Sequence, residues 1–187
     1  GSGYLATQPY EKRLRDFRVT TIFEGTTEIH SIYPPLFVLR SLNKHMKAVH
    51  PATTSRLLFL LKGLFGKADW KLRFHHRVMN RAARLAKANG RSVRWLLHAG
   101  LLIYGKKIQS EQFFLRRITN LSLHLYGLVA VLAKIDGAQK IGRDISEDLG
   151  ILSYFLEVAR QSRKRDKRLL RSRKEALHKN VVKSIIS

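Results

Sequence analysis

The stretch EQFFLRRITNLSLHLYGLVAVLAKI, residues 111–135, decides the fold class. Its apolar and polar residues do not alternate as they would in a half-buried strand, and the stretch reads as one long helix. Arg91–Gln109 is expected to run on into it with a bend. Asp136-Gly137 then closes the pair, with a second break at Gly142, and Asp144 or Ser146 caps a helix over Glu147–Gln161. A last helix rich in arginine and lysine reaches Ser187. Upstream, Asn89-Gly90 reads as a stop, and Ser55–Ala68 and Trp70–Ala88 read as two basic amphipathic helices. Leu36–His50 carries Leu36, Leu39, Leu42 and Met46 on one side. Pro34-Pro35 predicts a kink or restart, because the second proline removes a backbone donor and crowds the preceding turn. Thr26 or Thr27 is placed to cap a helix from Glu28, Val19–Phe23 is a brief β-branched and aromatic stretch, and Pro9 suits the first position of a short helix over Glu11–Phe17. Four prolines and the lack of any sustained strand pattern give an all-α helical bundle. Its expected divisions are residues 1–50, 51–90 and 91–187.

Composition sets the outer bounds. Among 187 residues, 36 Lys or Arg stand against 13 Asp or Glu, a net charge of +23, while 44% are hydrophobic, enough to bury a sizeable core. There is no cysteine, which excludes disulfides, thiol catalysis and Cys-ligated metal. The longest mostly apolar runs, Trp95–Tyr104 and Leu121–Ala133, are interrupted by His98 and His124 and fall short of the roughly 18–20 residues of a membrane span. A soluble or peripheral chain drawn to something anionic is expected.

The chemistry concentrates in Gly1–Ile29, GSGYLATQPYEKRLRDFRVTTIFEGTTEI. Glu24 follows Ile22-Phe23 and precedes Gly25, which allows close backbone approach to a ligand. A carboxylate among apolar neighbours has a raised pKa and can act as a general base near neutral pH; the alternative is a carboxylate that merely interacts with a helix N-terminus. Gly1-x-Gly3-Tyr4, Pro9-Tyr10-Glu11-Lys12, Arg15-Asp16-x-Arg18 and Ile22-Phe23-Glu24-Gly25-Thr26-x-Glu28-Ile29 resemble the C-terminal catalytic segment of the acyl-CoA dehydrogenases. Tyr104-Gly105-Lys106-Lys107-Ile108-x-x-Glu111-Gln112-Phe113 and Asn120-x-x-x-x-Leu125-Tyr126-Gly127-x-x-Ala130-Val131-Leu132 resemble the extra C-terminal helical domain of the membrane-associated, very-long-chain members. The resemblance implies an FAD-dependent oxidoreductase of fatty-acid β-oxidation, desaturating long-chain acyl-CoA at its α,β bond. It implies Glu24 as the base that takes the α-proton, Gly1, Thr26 and Glu28 as cofactor contacts, and Phe23 and Gly25 as substrate contacts. FAD would be shared with N-terminal domains that this chain does not carry, so the chain by itself is expected to be an inactive fragment of a homodimeric enzyme. The resemblance also implies an unbroken helix where Pro34-Pro35 predicts a break.

The basic segments add a second theme. Ser55–Arg91 holds ten Lys or Arg and one acid, Asp69. Leu57, Leu58, Leu60, Leu61, Leu64 and Phe65 gather on one side, and Arg73, Arg77, Arg81 and Arg84 form a stripe, a pairing that suits an anionic membrane surface. The family resemblance places the membrane-binding part here too, on a mitochondrial matrix face or a bacterial cytoplasmic face. The same pattern also suits a hairpin packed on the bundle with solvated arginines. Arg160–Lys183, with eleven Lys or Arg, reads as a solvated charge run. No RNA-binding motif, zinc-finger spacing or helix-turn-helix signature supports nucleic acid as a partner. Among the eight histidines no ligand-like spacing emerges, so no metal is assigned; His98 and His124 read as core or interface residues. The competing function is a non-catalytic basic helical module that binds membrane, a partner protein or RNA.

Overall fold

The structure, a computed structural model, describes residues 5, 7, 9–23, 25–66, 73–170 and 174–186. Among these the chain is all helical: α1 (Pro9–Thr20), α2 (Thr27–Val49), α3 (Thr53–Phe65), α4 (Arg77–Tyr104), a 3₁₀ segment (Gly105–Ser110), α5 (Gln112–Lys140), α6 (Ser146–Leu170) and α7 (Lys174–Ile186). Helices α4 and α5 form the centre. Helix α3 packs on α4, α2 on α5, and α6 on both.

Two cores fix this arrangement. Met79, Ala82, Ala83 and Ala86 of α4 meet Leu128, Leu132 and Ile135 of α5 and Leu152, Leu156 and Ala159 of α6. At the other end Leu96 of α4 meets Phe114, Leu115, Ile118 and Leu121 of α5, with Leu39 of α2 and Ile108 of the 3₁₀ segment. The first half of α4 thus lies beside the second half of α5, and the pair is antiparallel. Small alanines let α4 approach its neighbours closely, and each buried Leu or Ile contributes roughly 1.5–3 kcal/mol. The expected continuation of Arg91–Gln109 into the next helix is therefore corrected to a reversal. Gly105, at φ +50°, ends α4, and the 3₁₀ segment turns the chain.

Three expected breaks are overridden by packing. Pro34 and Pro35 lie inside an unbroken α2. Pro35 has no N–H for the Ser31 carbonyl, and the buried Thr119 hydroxyl of α5 donates to that carbonyl instead, at 2.5 Å. Helix α4 passes straight through Asn89-Gly90. Asn89 is fully buried, and its Oδ1 accepts from Arg163 Nη1 of α6 at 2.7 Å. Helix α5 continues past Asp136-Gly137, held by buried Ile135 and Ala138 and by a 2.7 Å pair between Lys140 and Asp136. It ends beside Gly142, φ +70°, the second break that the sequence offers, and Asp144 accepts from the Ser146 N–H at 3.0 Å as α6 begins.

The helix expected over Trp70–Ala88 begins at Arg77; residues 67–72 lie outside the described part. Before it, Asn80 ties down the chain, accepting from the Phe74 N–H at 3.0 Å and donating to the Phe74 carbonyl at 2.5 Å. Helix α1 reaches Thr20, so it takes in Val19 from the stretch read as β-branched. By length and mean hydropathy, 1.5 over its best window, α5 could cross a membrane. Here it is the central helix, with α2, α4 and α6 packed against it and 33% of that window buried.

Candidate functional site

The loop between α1 and α2 carries the residues singled out by the sequence. It is closed at its base, where the Thr27 N–H donates to the Thr21 carbonyl at 3.2 Å. Glu24, the expected base, and Gly1, an expected cofactor contact, lie outside the described residues. Gly25 has φ +121°, a conformation that L side chains rarely adopt, and a Cβ there would stand 3.3 Å from His30 Nε2. Phe23 is exposed beside it. Thr26 is the N-cap of α2, with extended backbone and an exposed side chain.

Glu28 sits in the first turn of α2. Its carboxyl is held below the usual carboxylate range, first by its own backbone N–H, then by the Thr26 hydroxyl, with a smaller pull from Arg116. Thr26 and Glu28 therefore stand side by side at an open edge, one a hydroxyl and the other an anionic acceptor. That pair fits the hydroxyl- and amide-bearing edges of a flavin dinucleotide. Beside it opens a largely apolar cleft of about 550 Å³. Thr27, Glu28 and Val38 of α2, Val93 and Leu97 of α4, and Leu123 and Tyr126 of α5 line it. Phe23 and Gly25 lie outside this lining, so the structure brings Glu28 to the cleft but not the two expected substrate contacts.

The residues expected to face a membrane divide. Leu57, Leu61 and Phe65 are exposed on α3, with Phe65 at 81%. Leu60 is 7% exposed and Leu64 half-buried, so Leu60 is corrected to a core residue on the packed side of α3. Arg77, Arg81 and Arg84 lie along α4, whereas Arg73 precedes the helix and is removed from the helical stripe. His98 is buried against α3, its ring 5.8 Å from that of Phe59, with Nδ1 donating to the Arg94 carbonyl at 2.9 Å. His124 stacks on Phe155.

One cluster escaped the sequence reading. Arg163 is half-buried and Asp166 is buried, although both fall in the segment read as a solvated charge run. The signal was present: Leu152, Leu156, Ala159, Arg163 and Asp166 follow one another at spacings of four, three, four and three, so the apolar stripe of α6 runs on into two charged residues.

The sequence profile of the family described as ACAD9/ACADV, C-terminal domain, matches residues 77–186, more than half of the chain. The mitochondrial very long-chain specific acyl-CoA dehydrogenases of Bos taurus and Homo sapiens are each 26% identical over 179 residues, which cover 87% of this chain and 27% of theirs. A crystal structure of an acyl-CoA dehydrogenase complexed with FAD, from Bacillus anthracis, superposes with a TM-score of 0.58 at 25% identity, over 89% of this chain and 27% of that one. The chain thus spans about a quarter of the length of these relatives. The resemblance carried by the Tyr104–Phe113 and Asn120–Leu132 motifs falls inside the matched region. Together with the all-helical fold, these matches establish that the chain belongs to the ACAD9/ACADV C-terminal domain family and is a C-terminal portion of the acyl-CoA dehydrogenase type.

Proposed function

We propose that this chain serves an FAD-dependent acyl-CoA dehydrogenase of β-oxidation that desaturates long-chain acyl-CoA, with Glu24 as the base that removes the α-proton. The observation that carries the reading is the Ile22–Ile29 segment at the start of α2. There a glycine in the left-handed region and an exposed threonine hydroxyl shortly precede Glu28, an anionic glutamate that lines an apolar cleft.

Each residue has a task in this reading. Glu24, set between Phe23 and Gly25, takes the α-proton; its apolar neighbour raises its basicity. The Glu24 backbone N–H donates to the thioester carbonyl and stabilises the charge that develops there. Gly25, bare of a side chain, lets the substrate approach the backbone, and Phe23 keeps water from the reacting carbons. Thr26 and Glu28 hold the polar edge of FAD, which when bound supplies acceptance of the β-hydrogen as hydride. Leu14, Phe17, Phe23, Ile29, Tyr33 and Phe37 are each more than half exposed around this loop, an apolar surface of the kind a larger enzyme covers. This supports a site shared with other domains and a second subunit.

In the flavin-loaded holoenzyme, Glu24→Gln should retain its yellow cofactor and acyl-CoA binding while turnover falls by about 10²–10⁴-fold. Turnover within tenfold of wild type would remove Glu24 from the role of base.

A second reading concerns location. Exposed Leu57, Leu58, Leu61 and Phe65 on α3, together with the arginines of α4, favour peripheral binding to an anionic membrane, on the matrix side in mitochondria or the cytoplasmic side in bacteria. It is compatible with the enzymatic reading and also fits a module without catalysis. The Glu24→Gln experiment separates the two.

A further inference from the structure

A groove of about 700 Å³ lies between the end of α3 and the facing surfaces of α4, α5 and α6, away from the loop that carries Glu24. That volume suits a single small ligand. Its apolar lining includes Leu64, Trp95, Leu96 and Leu121. Its cationic lining includes Arg91, Arg94, Arg163 and Lys167. Asp166 is the one carboxylate among the described lining residues.

The cations of this groove are unusually placed. The half-buried Arg163 guanidinium donates to neutral acceptors: the Ala88 carbonyl at 3.3 Å, Asn89 Oδ1 at 2.7 Å and Ser92 Oγ at 2.9 Å. Burial, and then the neighbouring charge of Arg91, lower its pKa. Arg117, 6% exposed on the groove floor, pairs with Glu175 through Nη2 and leaves its Nε without a partner among the described residues. Arg94 Nε is likewise buried and unpartnered. Arg117 already has Glu175, and Asp166 Oδ2 is itself buried without a partner, but Arg163 and Arg94 Nε have no carboxylate partner among the described residues, a cost that an incoming anion would offset.

We propose that this groove binds one single-chain lipid, its anionic head among Arg91, Arg94, Arg163 and Lys167 and its hydrocarbon chain along Leu64, Trp95 and Leu121. Neither half of the lining alone explains the site. A free phosphate would leave the apolar residues unused, and an uncharged hydrocarbon would leave Arg163 and Arg94 Nε without an anion. The groove lies between four helices and its volume suits one hydrocarbon chain, unlike the separate exposed leucines Leu57, Leu58 and Leu61 of α3.

Trp95 gives the assay. The chain has two tryptophans, so Trp70→Phe leaves Trp95 as the reporter. Dibrominated stearate, added below its aggregation concentration to the full 187-residue chain, should quench Trp95 saturably with one molecule bound per chain. Unbrominated stearate and lysophosphatidate should both displace it. Methyl stearate and a hundredfold excess of inorganic phosphate should not. Arg91→Gln with Lys167→Gln, both exposed and thus compatible with the fold, should weaken binding at least tenfold, whereas Lys106→Gln with Lys107→Gln should leave it unchanged. Displacement by phosphate alone would show a simple anion site, and equal binding of acid and methyl ester would show mere hydrophobic adsorption. Either result, an absence of saturable quenching, or equal loss in the two double variants would overturn the proposal.

Discussion

Asp166 shows how far one side chain can depart from its sequence class. It lies in a run of arginines and lysines, yet it is 8% exposed. Burial raises its pKa more than Arg165, a hydrogen bond from Asn120, Arg117 and His124 lower it. The sign follows from linkage. A carboxyl whose folded pKa is raised binds its proton more tightly in the folded state. Stability is then greatest below its unfolded pKa and falls as pH rises through the folded one. Asp166→Asn should therefore flatten that part of the stability profile and be no less stable than wild type at neutral pH. Urea midpoints measured from about pH 4 to 7 test this; a variant clearly weaker at neutral pH would mean that the pairing with Arg117 and Arg165 outweighs burial. The Asp166 environment was not legible because a charge run in sequence hides its helical phase. Only the continuation of the Leu152, Leu156, Ala159 stripe reveals it. The family resemblance of the Ile22–Ile29 segment was legible for the opposite reason, since its residue types are specific and adjacent.

Helices came through better than their ends. The all-α class and the apolar side of α2, where Leu39 and Met46 are buried, follow from residue periodicity, but Pro34-Pro35, Asn89-Gly90 and Asp136-Gly137 each lie inside a helix. In each case a distant partner decides the matter. Thr119 serves the carbonyl freed by Pro35, Arg163 engages Asn89, and Ile135 and Ala138 anchor α5 on either side of Gly137. Local propensity, worth about 1 kcal/mol at a glycine, loses to such packing. The glycines of α3 and α6 give a matched test. At Gly150 on α6 an added Cβ meets nothing within 4 Å, so Gly150→Ala should stabilise the protein by about 0.5–1 kcal/mol. At Gly63 on α3 a Cβ would stand 2.0 Å from His98 Cδ2, and His98 is itself fixed by Phe59 and the Arg94 carbonyl. Gly63→Ala should cost about 1–3 kcal/mol in spite of the better helix former. Urea unfolding of both variants reads the difference, and a stabilised Gly63→Ala would refute the close seating of α3 on α4.

The molecule as a unit combines a net charge of +23 with a band of exposed apolar side chains, and α3 is where the two meet. Ion pairs from Arg117 to Glu175 and from Lys179 to Glu111 dock the basic α7 on the start of α5, so part of this charge is structural. Exposed cations such as Arg77 and Arg84 are those that an anionic surface would meet. Each basic residue near such a surface contributes about 1 kcal/mol, which salt screens, while buried apolar area contributes roughly 25 cal/mol per Å², which salt does not screen. The two contributions are therefore separable. Replacing Arg77, Arg81 and Arg84 by Gln should weaken binding to anionic vesicles mainly at low salt. Leu57→Asp with Phe65→Asp should abolish it at every ionic strength and leave helical circular dichroism intact, because both side chains already face water. Leu60→Asp supplies the contrast: it buries a carboxylate between α3 and the bundle, and should lose helicity before vesicle binding can be read. Vesicle co-sedimentation with a dichroism control distinguishes these outcomes. A folded wild-type chain that ignores anionic vesicles would leave the exposed face of α3 to another domain or subunit.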